Sequence, residues 1–308
     1  MENVAFVFPG QGSQALGMLA ELAQSHEIIG QTFAEASDAL GYNLWDLVAN
    51  GPVETLNETD KTQPALLTAS VAIWRAYQAS NKPMPSLLAG HSLGEYSALV
   101  CAGVIEFTDA VKLVELRGKL MQQAVPAGSG AMFAIIGLAD NAIAVACEEA
   151  AEGAVVSPVN YNSPGQVVIA GEKAAVERAA AACKAAGAKM AVALPVSVPS
   201  HCALMKPAAD ELAKALLNVA FSAPTINVVN NVDVAMPTEG EAIKDALVRQ
   251  LYCPVRWSET VEFMATQGVT NLVECGPGKV LTGLTKRINK SISAQAVNDV
   301  ASFAALTE

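Results

Sequence analysis

The sequence predicts an α/β protein, with a core built on a mainly parallel sheet and a small inserted domain. A short apolar run, residues 86–89, leads into the turn Gly90-His91-Ser92-Leu93-Gly94 and then into a helical stretch, residues 95–100. This strand–turn–helix order is typical of α/β folds. Residues 125–199 have a different pattern of predicted elements, in the order β-α-β-β-α-β, which indicates a ferredoxin-like domain. We therefore expect a core of residues 1–124 and 200–308 and an insert of residues 125–199.

The first part of the core opens on an apolar strand and continues mainly as helices. The strand is followed by the tight loop Pro9-Gly10-Gln11-Gly12-Ser13-Gln14. Helices with a turn at Gly41 are expected over residues 17–50, and Pro64 fits the first turn of the next helix. In chain order, the predicted elements are strand 4–8, helix 63–79, strand 86–89 and helices 95–100 and 108–124.

The insert and the last part of the core alternate strands and helices. Asp140 is a plausible N-cap of the first helix of the insert. The predicted insert elements are strand 131–137, helix 141–151, strands 155–161 and 166–171, helix 174–187 and strand 189–196. The remaining elements are helix 203–217, strand 225–229, helix 241–251, strand 271–274, helix 279–288 and strand 294–297.

Composition excludes several classes of function. Because the net charge over the 308 residues is -11, we do not expect a nucleic-acid partner. The mean hydropathy of +0.33 is largely due to alanine, and prolines and glycines interrupt the uncharged runs, so no membrane span is expected. The 6 cysteines are scattered without a C-x-x-C pair, which indicates a cytoplasmic protein without a metal site.

Ser92 is the candidate nucleophile. In G-x-S-x-G the chain reverses so sharply that glycines must flank the serine, and the following helix directs its free N–H groups towards the reacting atoms. The alternative is a glycine-rich turn with an incidental serine, and the flanking strand and helix favour the nucleophile. The loop at residues 9–14 ends a strand of the same predicted sheet, so it could supply a second oxyanion donor.

A nucleophilic serine needs a general base, and the chain has only 3 histidines. His26 is expected to lie on the surface. His91 is adjacent to Ser92 and points away from it, which favours a packing role. His201 lies in a loop just after the insert and is therefore the best base by elimination. A distant carboxylate or a backbone carbonyl could hold its imidazole.

Arg117 falls on the apolar stripe of its predicted helix, among Ala110, Val114 and Met121. A cation there is unfavourable unless something compensates it. The alternatives are a snorkelling side chain, a buried ion pair, or a guanidinium that binds a carboxylate of the substrate through two parallel hydrogen bonds.

Taken together, the motifs resemble those of the malonyl-CoA:acyl carrier protein transacylases, in order and spacing, from residue 1 to about residue 284. The stretches that carry the resemblance are Phe8-Pro9-Gly10-Gln11-Gly12-Ser13-Gln14, Gly90-His91-Ser92-Leu93-Gly94-Glu95-Tyr96, Arg117-Gly118, Asn160-Tyr161-Asn162-Ser163-Pro164-Gly165-Gln166, Pro199-Ser200-His201 and Glu274-Cys275-Gly276-Pro277-Gly278. They look most like the stand-alone bacterial enzymes of fatty-acid synthesis, and this resemblance implies a hydrolase-like core that carries the ferredoxin-like insert.

The resemblance implies a role for each matching residue. Ser92 would carry the malonyl group, and His201 would act first as base and then as acid. The backbone N–H groups of Gln11 and Leu93 would form the oxyanion hole. Arg117 would pair with the malonyl carboxylate. The main-chain carbonyl of residue 250, a glutamine here, would orient the histidine in place of a triad acid.

The resemblance also implies the reaction and its partners. The enzyme would transfer malonate from malonyl-CoA to the phosphopantetheine thiol of acyl carrier protein, as a monomer and without a bound cofactor. Two alternatives remain open: a thioesterase that passes the acyl group to water, and a non-catalytic protein that binds the carrier. The lifetime of the acyl-enzyme in buffer separates transfer from hydrolysis.

Overall fold

The structure, a computed structural model, describes residues 3–196 and 198–307. Outside this part lie residue 197 and the ends of the predicted domains, at residues 1, 2 and 308. A five-stranded sheet runs in the order β7-β2-β1-β8-β9, and its neighbouring strands are all parallel. Its strands are β1 (Val4–Phe8), β2 (Leu87–Gly90), β7 (Asn227–Val229), β8 (Asn271–Cys275) and β9 (Ser293–Val297).

Helices cover both faces of the parallel sheet. Before the insert these are α1 (Ala20–Ser25), α2 (Glu27–Leu40), α3 (Leu44–Asn50), α4 (Val53–Leu56), α5 (Thr59–Ala79), α6 (Leu93–Cys101) and α7 (Phe107–Gln123). After the insert a 3₁₀ turn (Ala203–Met205) leads to α10 (Lys206–Leu216), α11 (Gly240–Gln250), α12 (Trp257–Thr266), α13 (Val280–Ile288) and α14 (Val300–Thr307).

The alternation of side chains along β1 builds the two layers of the core. Phe6 and Phe8 point to one face and pack against Trp74, with ring centroids 5.6 and 6.4 Å apart. Ala5 and Val7 point to the other face, which also holds Trp257. A strand buried on both faces reads as a continuous apolar run, as the sequence of β1 does.

The insert forms a separate four-stranded antiparallel sheet in the order β4-β5-β3-β6. Its elements are β3 (Gly130–Ile136), α8 (Asp140–Ala151), β4 (Val156–Ser163), β5 (Gln166–Glu172), α9 (Lys173–Ala185) and β6 (Met190–Ala193). Val167 and Ile169 of β5 pack on the two helices, whereas Val168 and Ala170 share a cluster with Cys202 of the core. The second face of the insert sheet is therefore packed against the core.

The predicted α/β fold, with a parallel sheet and a distinct antiparallel one, is confirmed, and the differences lie in the elements. Helix α5 begins at Thr59, before the predicted start, so that Pro64 lies inside the helix. Asp140 is the first helical residue, and Ala139 is the N-cap. Strand β6 is shorter than predicted: its register with β3 covers Met190–Ala193, and one further backbone hydrogen bond joins Leu194 N–H to Met132 O.

Helices α4, α12 and α14 were missing from the sequence prediction. Arg256 precedes α12 and makes no side-chain capping bond, so this helix has no capping signal in the sequence. Helix α14 does have one, because the carboxylate of Asp299 accepts a 2.7 Å hydrogen bond from the backbone N–H of Ser302.

Candidate active site

The turn between β2 and α6 has the geometry of a nucleophile elbow. Ser92 has φ 51° and ψ -108°, a conformation outside the regions that side chains favour. A Cβ on Gly94 would lie 2.0 Å from the carbonyl oxygen of Phe8, and one on Gly90 would lie 1.9 Å from the carbonyl carbon of Gly94. Glycine is therefore required on both sides of the serine, as the motif predicts.

The structure brings Ser92 and His201 together across 109 residues of chain. The serine Oγ lies 2.8 Å from Nε2 of the imidazole. Nδ1 lies 2.6 Å from the main-chain carbonyl oxygen of Gln250, so Nδ1 carries the proton and Nε2 is free to accept one. The group beside Nδ1, which the sequence left open between a carboxylate and a carbonyl, is a carbonyl.

His201 is buried, and its surroundings favour the neutral imidazole. Burial, followed by the positive charge of Arg117, lowers the pKa of His201 to about 3, while the hydrogen bond to Gln250 opposes this shift. A neutral histidine beside a serine hydroxyl is ready to act as a base.

The guanidinium of Arg117 lies at the bottom of the site and is 1% exposed, which excludes a snorkelling side chain. Nη1 donates to Gln63 Oε1 at 2.7 Å, and Nη2 donates to Gln250 Oε1 at 3.0 Å and to Ser92 Oγ at 3.2 Å. No ion pair within the described residues involves Arg117. Of the alternatives drawn from the sequence, a guanidinium available to a ligand carboxylate fits best.

Gln11 and Leu93 both line the cleft next to Ser92. Leu93 is the first residue of α6, where backbone N–H groups lack helical partners. Gln11 follows β1 in the loop that the sequence singled out, and its side chain donates a 3.4 Å hydrogen bond to Thr59 Oγ1. The two residues are placed on the same cleft as the serine, and their role as oxyanion donors stays a prediction.

Three buried polar residues of the site were missed by sequence reasoning: Asn231, Glu95 and Gln63. The Asn231 side chain spans the elbow, because Oδ1 accepts from Ser92 N and Nδ2 donates to Gly90 O, both at 2.7 Å. Its position just beyond β7, at the carboxyl edge of the parallel sheet, is the signal that could have found it.

Glu95 lies one turn after the serine on α6. Its Oε2 accepts hydrogen bonds from Gln250 Nε2 at 2.8 Å and from the backbone N–H of Asn231 at 3.0 Å. Burial raises the pKa of Glu95 to about 7, and these hydrogen bonds and the charge of Arg117 act in the opposite direction.

The cleft around Ser92 has a volume of about 110 Å³, and residues from the part of the chain with the parallel sheet and from the part with the antiparallel sheet line it. Residues 125–199 supply Met132, Asn160, Leu194, Val196 and Val198, and the other lining residues come from the rest of the chain. The other two histidines lie apart from this chemistry. His91 Nε2 is 2.8 Å from Asn162 Oδ1 of the insert, and the His26 ring lies 4.6 Å from that of Phe303.

Two searches of the described residues bear on other kinds of site. In residues 3–196 and 198–307, no three His, Cys, Asp or Glu side chains are grouped so that they could hold a metal ion. None of the helices in this part of the chain combines the length and the apolar character needed to cross a membrane.

Comparison with known proteins gives full-length matches. The profile of the family described as "Acyl transferase domain" matches residues 5–306. The malonyl CoA-acyl carrier protein transacylase of Salmonella typhimurium is 69% identical over 309 residues, covering 100% of both chains. A crystal structure of an acyl carrier protein S-malonyltransferase from Vibrio cholerae superposes with a TM-score of 0.97 at 69% identity, covering 99% of each chain. A malonyl-transacylase solved in complex with a type II PKS acyl-carrier protein has a TM-score of 0.97 at 67% identity, covering 98% of each chain.

Proposed function

Because the chain belongs to the malonyl CoA-acyl carrier protein transacylases and is an acyltransferase, we propose that it moves malonate from malonyl-CoA to acyl carrier protein through a malonyl-Ser92 ester. One observation carries the proposal. Ser92 Oγ lies 2.8 Å from a base, His201 Nε2, and 3.2 Å from a buried cation, Arg117 Nη2. The hydroxyl thus adjoins both the group that would activate it and the group that would recognise the acyl chain.

The reaction has two acyl transfers with the same residues in each. His201 takes the proton of Ser92 as the oxygen attacks the malonyl thioester carbonyl. The tetrahedral adduct then expels the sulfur of coenzyme A, which takes that proton from His201. In the second half, His201 removes the proton of the phosphopantetheine thiol, the sulfur attacks the ester, and the proton returns to Ser92. The carbonyl of Gln250 holds the imidazole in the required tautomer throughout.

The oxyanion of each tetrahedral adduct needs fixed donors. We assign the backbone N–H groups of Gln11 and Leu93 to this role. One such donor typically lowers the barrier by about 3 kcal/mol, because it is already oriented where the charge develops. Leu93 N–H also lies at the positive end of α6.

Arg117 is assigned to the free carboxylate of the malonyl group. A guanidinium has five N–H donors, and in this structure its acceptors are Gln63, Gln250 and Ser92. Among the described residues no carboxylate contacts the Arg117 guanidinium. A substrate carboxylate in the cleft would supply this negative charge. An acetyl group would leave the cation uncompensated, which gives a physical basis for malonyl selectivity.

The remaining features of the proposal concern partners and organisation. We infer acyl carrier protein as the acceptor, supported by the relative solved with such a carrier, and a cytoplasmic monomer without a resident cofactor. We also interpret residues 1–124 and 200–308 as a hydrolase-like core and residues 125–199 as a ferredoxin-like insert. The strand order β4-β5-β3-β6 and the parallel core sheet support this division.

Mass spectrometry of the protein after mixing with malonyl-CoA tests the proposal. We expect one malonyl group on the peptide that contains Ser92, stable in buffer and discharged by a pantetheine thiol. An adduct that water removes as fast as the thiol does would instead identify a thioesterase. No adduct at any concentration of malonyl-CoA would leave a carrier-binding protein and refute the transfer.

A further inference from the structure

Gln250 contacts the site through its side chain as well as through its carbonyl. The main-chain oxygen faces His201, whereas the side-chain amide makes a separate set of hydrogen bonds. Its Oε1 accepts from Arg117 Nη2 at 3.0 Å, and its Nε2 donates to Glu95 Oε2 at 2.8 Å and to the carbonyl of Ser92 at 3.0 Å. A substitution at this position removes the amide and leaves the carbonyl in place, so the two roles can be separated.

The amide of Gln250 stands between two buried ionisable side chains, the carboxyl group of Glu95 and the guanidinium of Arg117. Arg117 is 1% exposed and Glu95 is 2% exposed, and no ion pair of the described residues joins either of them to an oppositely charged side chain. An uncompensated buried charge is strongly unfavourable. The amide relieves both at once, because it donates to the carboxylate and accepts from the guanidinium, and each bond polarises the other.

This arrangement also fixes which way the amide points. If its nitrogen and oxygen were exchanged, an NH₂ group would face the guanidinium N–H groups and an oxygen would face the carboxylate. Glu95, together with the Ser92 carbonyl that accepts from the same Nε2, therefore selects the orientation in which Oε1 can hold Arg117. The carboxylate is itself fixed by the backbone N–H of Asn231.

Gln63, at the other end of the guanidinium, lacks such an anchor. Its Oε1 accepts from Arg117 Nη1, but its Nε2 reaches only the sulfur of Met121, at 3.5 Å, which is a weak acceptor. Of the two glutamines that hold the cation, Gln250 is thus the one tied to a buried carboxylate.

We propose that the side chain of Gln250, oriented by Glu95, is a positioning residue for malonyl selectivity: it holds the Arg117 guanidinium beside Ser92 in the orientation that receives the acyl carboxylate. The inference rests on the proposed function of Arg117. It adds a role for the Gln250 amide that is distinct from the role of its carbonyl. Through this amide, Glu95 would affect malonyl selectivity without touching the substrate.

The test is Gln250→Met, compared with Gln123→Met, the same change at the exposed end of α7. We measure kcat and KM for transfer from malonyl-CoA and from acetyl-CoA. Hydrogen bonds to charged groups have strengths that correspond to a loss of about 10- to 100-fold, and we expect this loss in kcat/KM for malonyl-CoA, mainly through KM. Acetyl transfer should fall at least about tenfold less, since it does not use the cation. The control should change neither.

Glu95→Gln is the second variant, and it decides the matter should Gln250→Met fail to fold by circular dichroism. Measured above pH 7, where the Glu95 carboxylate is mainly ionised, it removes the charge that helps to orient the amide, so malonyl selectivity should fall in the same direction by a smaller factor. Equal losses for the two donors in these variants would overturn the inference, since a merely structural role would slow both. If Arg117→Ala also slows both donors equally, the proposed function of Arg117 fails as well. If Arg117→Ala lowers malonyl transfer more than acetyl transfer, but Gln250→Met and Glu95→Gln do not, the inference about Gln250 fails alone.

Discussion

The two walls of the cleft are built differently. On the core side, Ser92, His201 and Arg117 are joined by hydrogen bonds between elements far apart in sequence. On the insert side, Met132, Leu194, Val196 and Val198 line the same cleft with apolar side chains, and Asn160 is the one polar residue of that lining among the described residues. The difference indicates that the core fixes the reacting groups, and a small displacement of these groups lowers the reaction rate strongly. The insert gives the cleft its shape and excludes water, and each of its side chains contributes little to the rate.

The largest expected effect is on the core wall, at the nucleophile. Ser92→Ala removes the oxygen that forms the ester, so malonyl transfer should fall by at least about 10,000-fold, as removal of a catalytic serine does in other acyl-transfer enzymes. The checks are the rate of carrier malonylation and the loss of the malonyl adduct in the mass spectrum. Ser13→Ala, in the loop after β1, is the control and should retain the adduct. A Ser92→Ala variant that still transfers malonate at the original rate would end the comparison.

Next in size is the effect of Arg117→Ala. Losing the only cation that contacts Ser92 Oγ within the described residues should lower kcat/KM for malonyl-CoA by about 100-fold, as loss of a buried charge partner does. Acetyl transfer should fall much less. Lys112→Ala, which removes an exposed cation from the same helix, should change neither rate. Equal losses for malonyl and acetyl transfer would refute the assignment of Arg117 to the substrate carboxylate.

The third prediction concerns the pH dependence of the core wall. The pKa of His201 is lowered from its ordinary value of 6.5 to about 3, chiefly by burial and then by Arg117, with a small contribution from His91. The base is therefore neutral well below pH 6.5, and kcat/KM for acylation of Ser92 by acetyl-CoA, which does not use Arg117, should fall less than about twofold from pH 7.5 to 5.5, whereas malonyl transfer also follows the titration of Glu95, whose pKa is about 7. An ordinary histidine would lose about tenfold.

The same shift has a consequence for stability, and its sign is fixed. Because the folded pKa of His201 lies below the unfolded one, its contribution is fully present above pH 6.5 and is lost as pH falls towards 3. Circular dichroism at each pH separates unfolding from titration of the base.

The Arg117→Met variant removes one cause of the lowered His201 pKa. The acid limb of its profile of kcat/KM against pH should therefore move to higher pH. An unchanged limb would contradict the electrostatic coupling between the two residues.

The sequence carried the parts of the site that local patterns encode. The elbow has a motif because sterics require glycine at both flanks, and His201 could be found because the chain has only 3 histidines. Arg117 was detectable as a cation on an apolar stripe. In each case a single element of secondary structure, or a count of residues, contained the signal.

The contacts of the supporting residues could not be found from local patterns. Asn231 reaches the elbow across 139 residues, and Gln250 reaches Glu95 across 155. Such contacts depend on how the sheet brings strand ends together, which local periodicity does not specify. Helix α12 was missed for a related reason, since packing of Trp257 against the second face of the sheet, not a capping residue, accompanies its start.

The smallest effect is expected on the insert wall. Leu194 is half-buried and packs near Met132, so Leu194→Ala should destabilise the fold by about 1 kcal/mol, less than a fully buried leucine would. Malonyl transfer should change by less than about threefold, because the side chain offers contact area and no charge or hydrogen bond. Val192→Ala, at an exposed position of β6, is the matched control and should leave both the melting temperature and the rate unchanged. A tenfold loss of malonyl transfer in Leu194→Ala, with the fold intact, would show that the insert wall takes part in aligning the acyl group, and the contrast between the two walls would then fail.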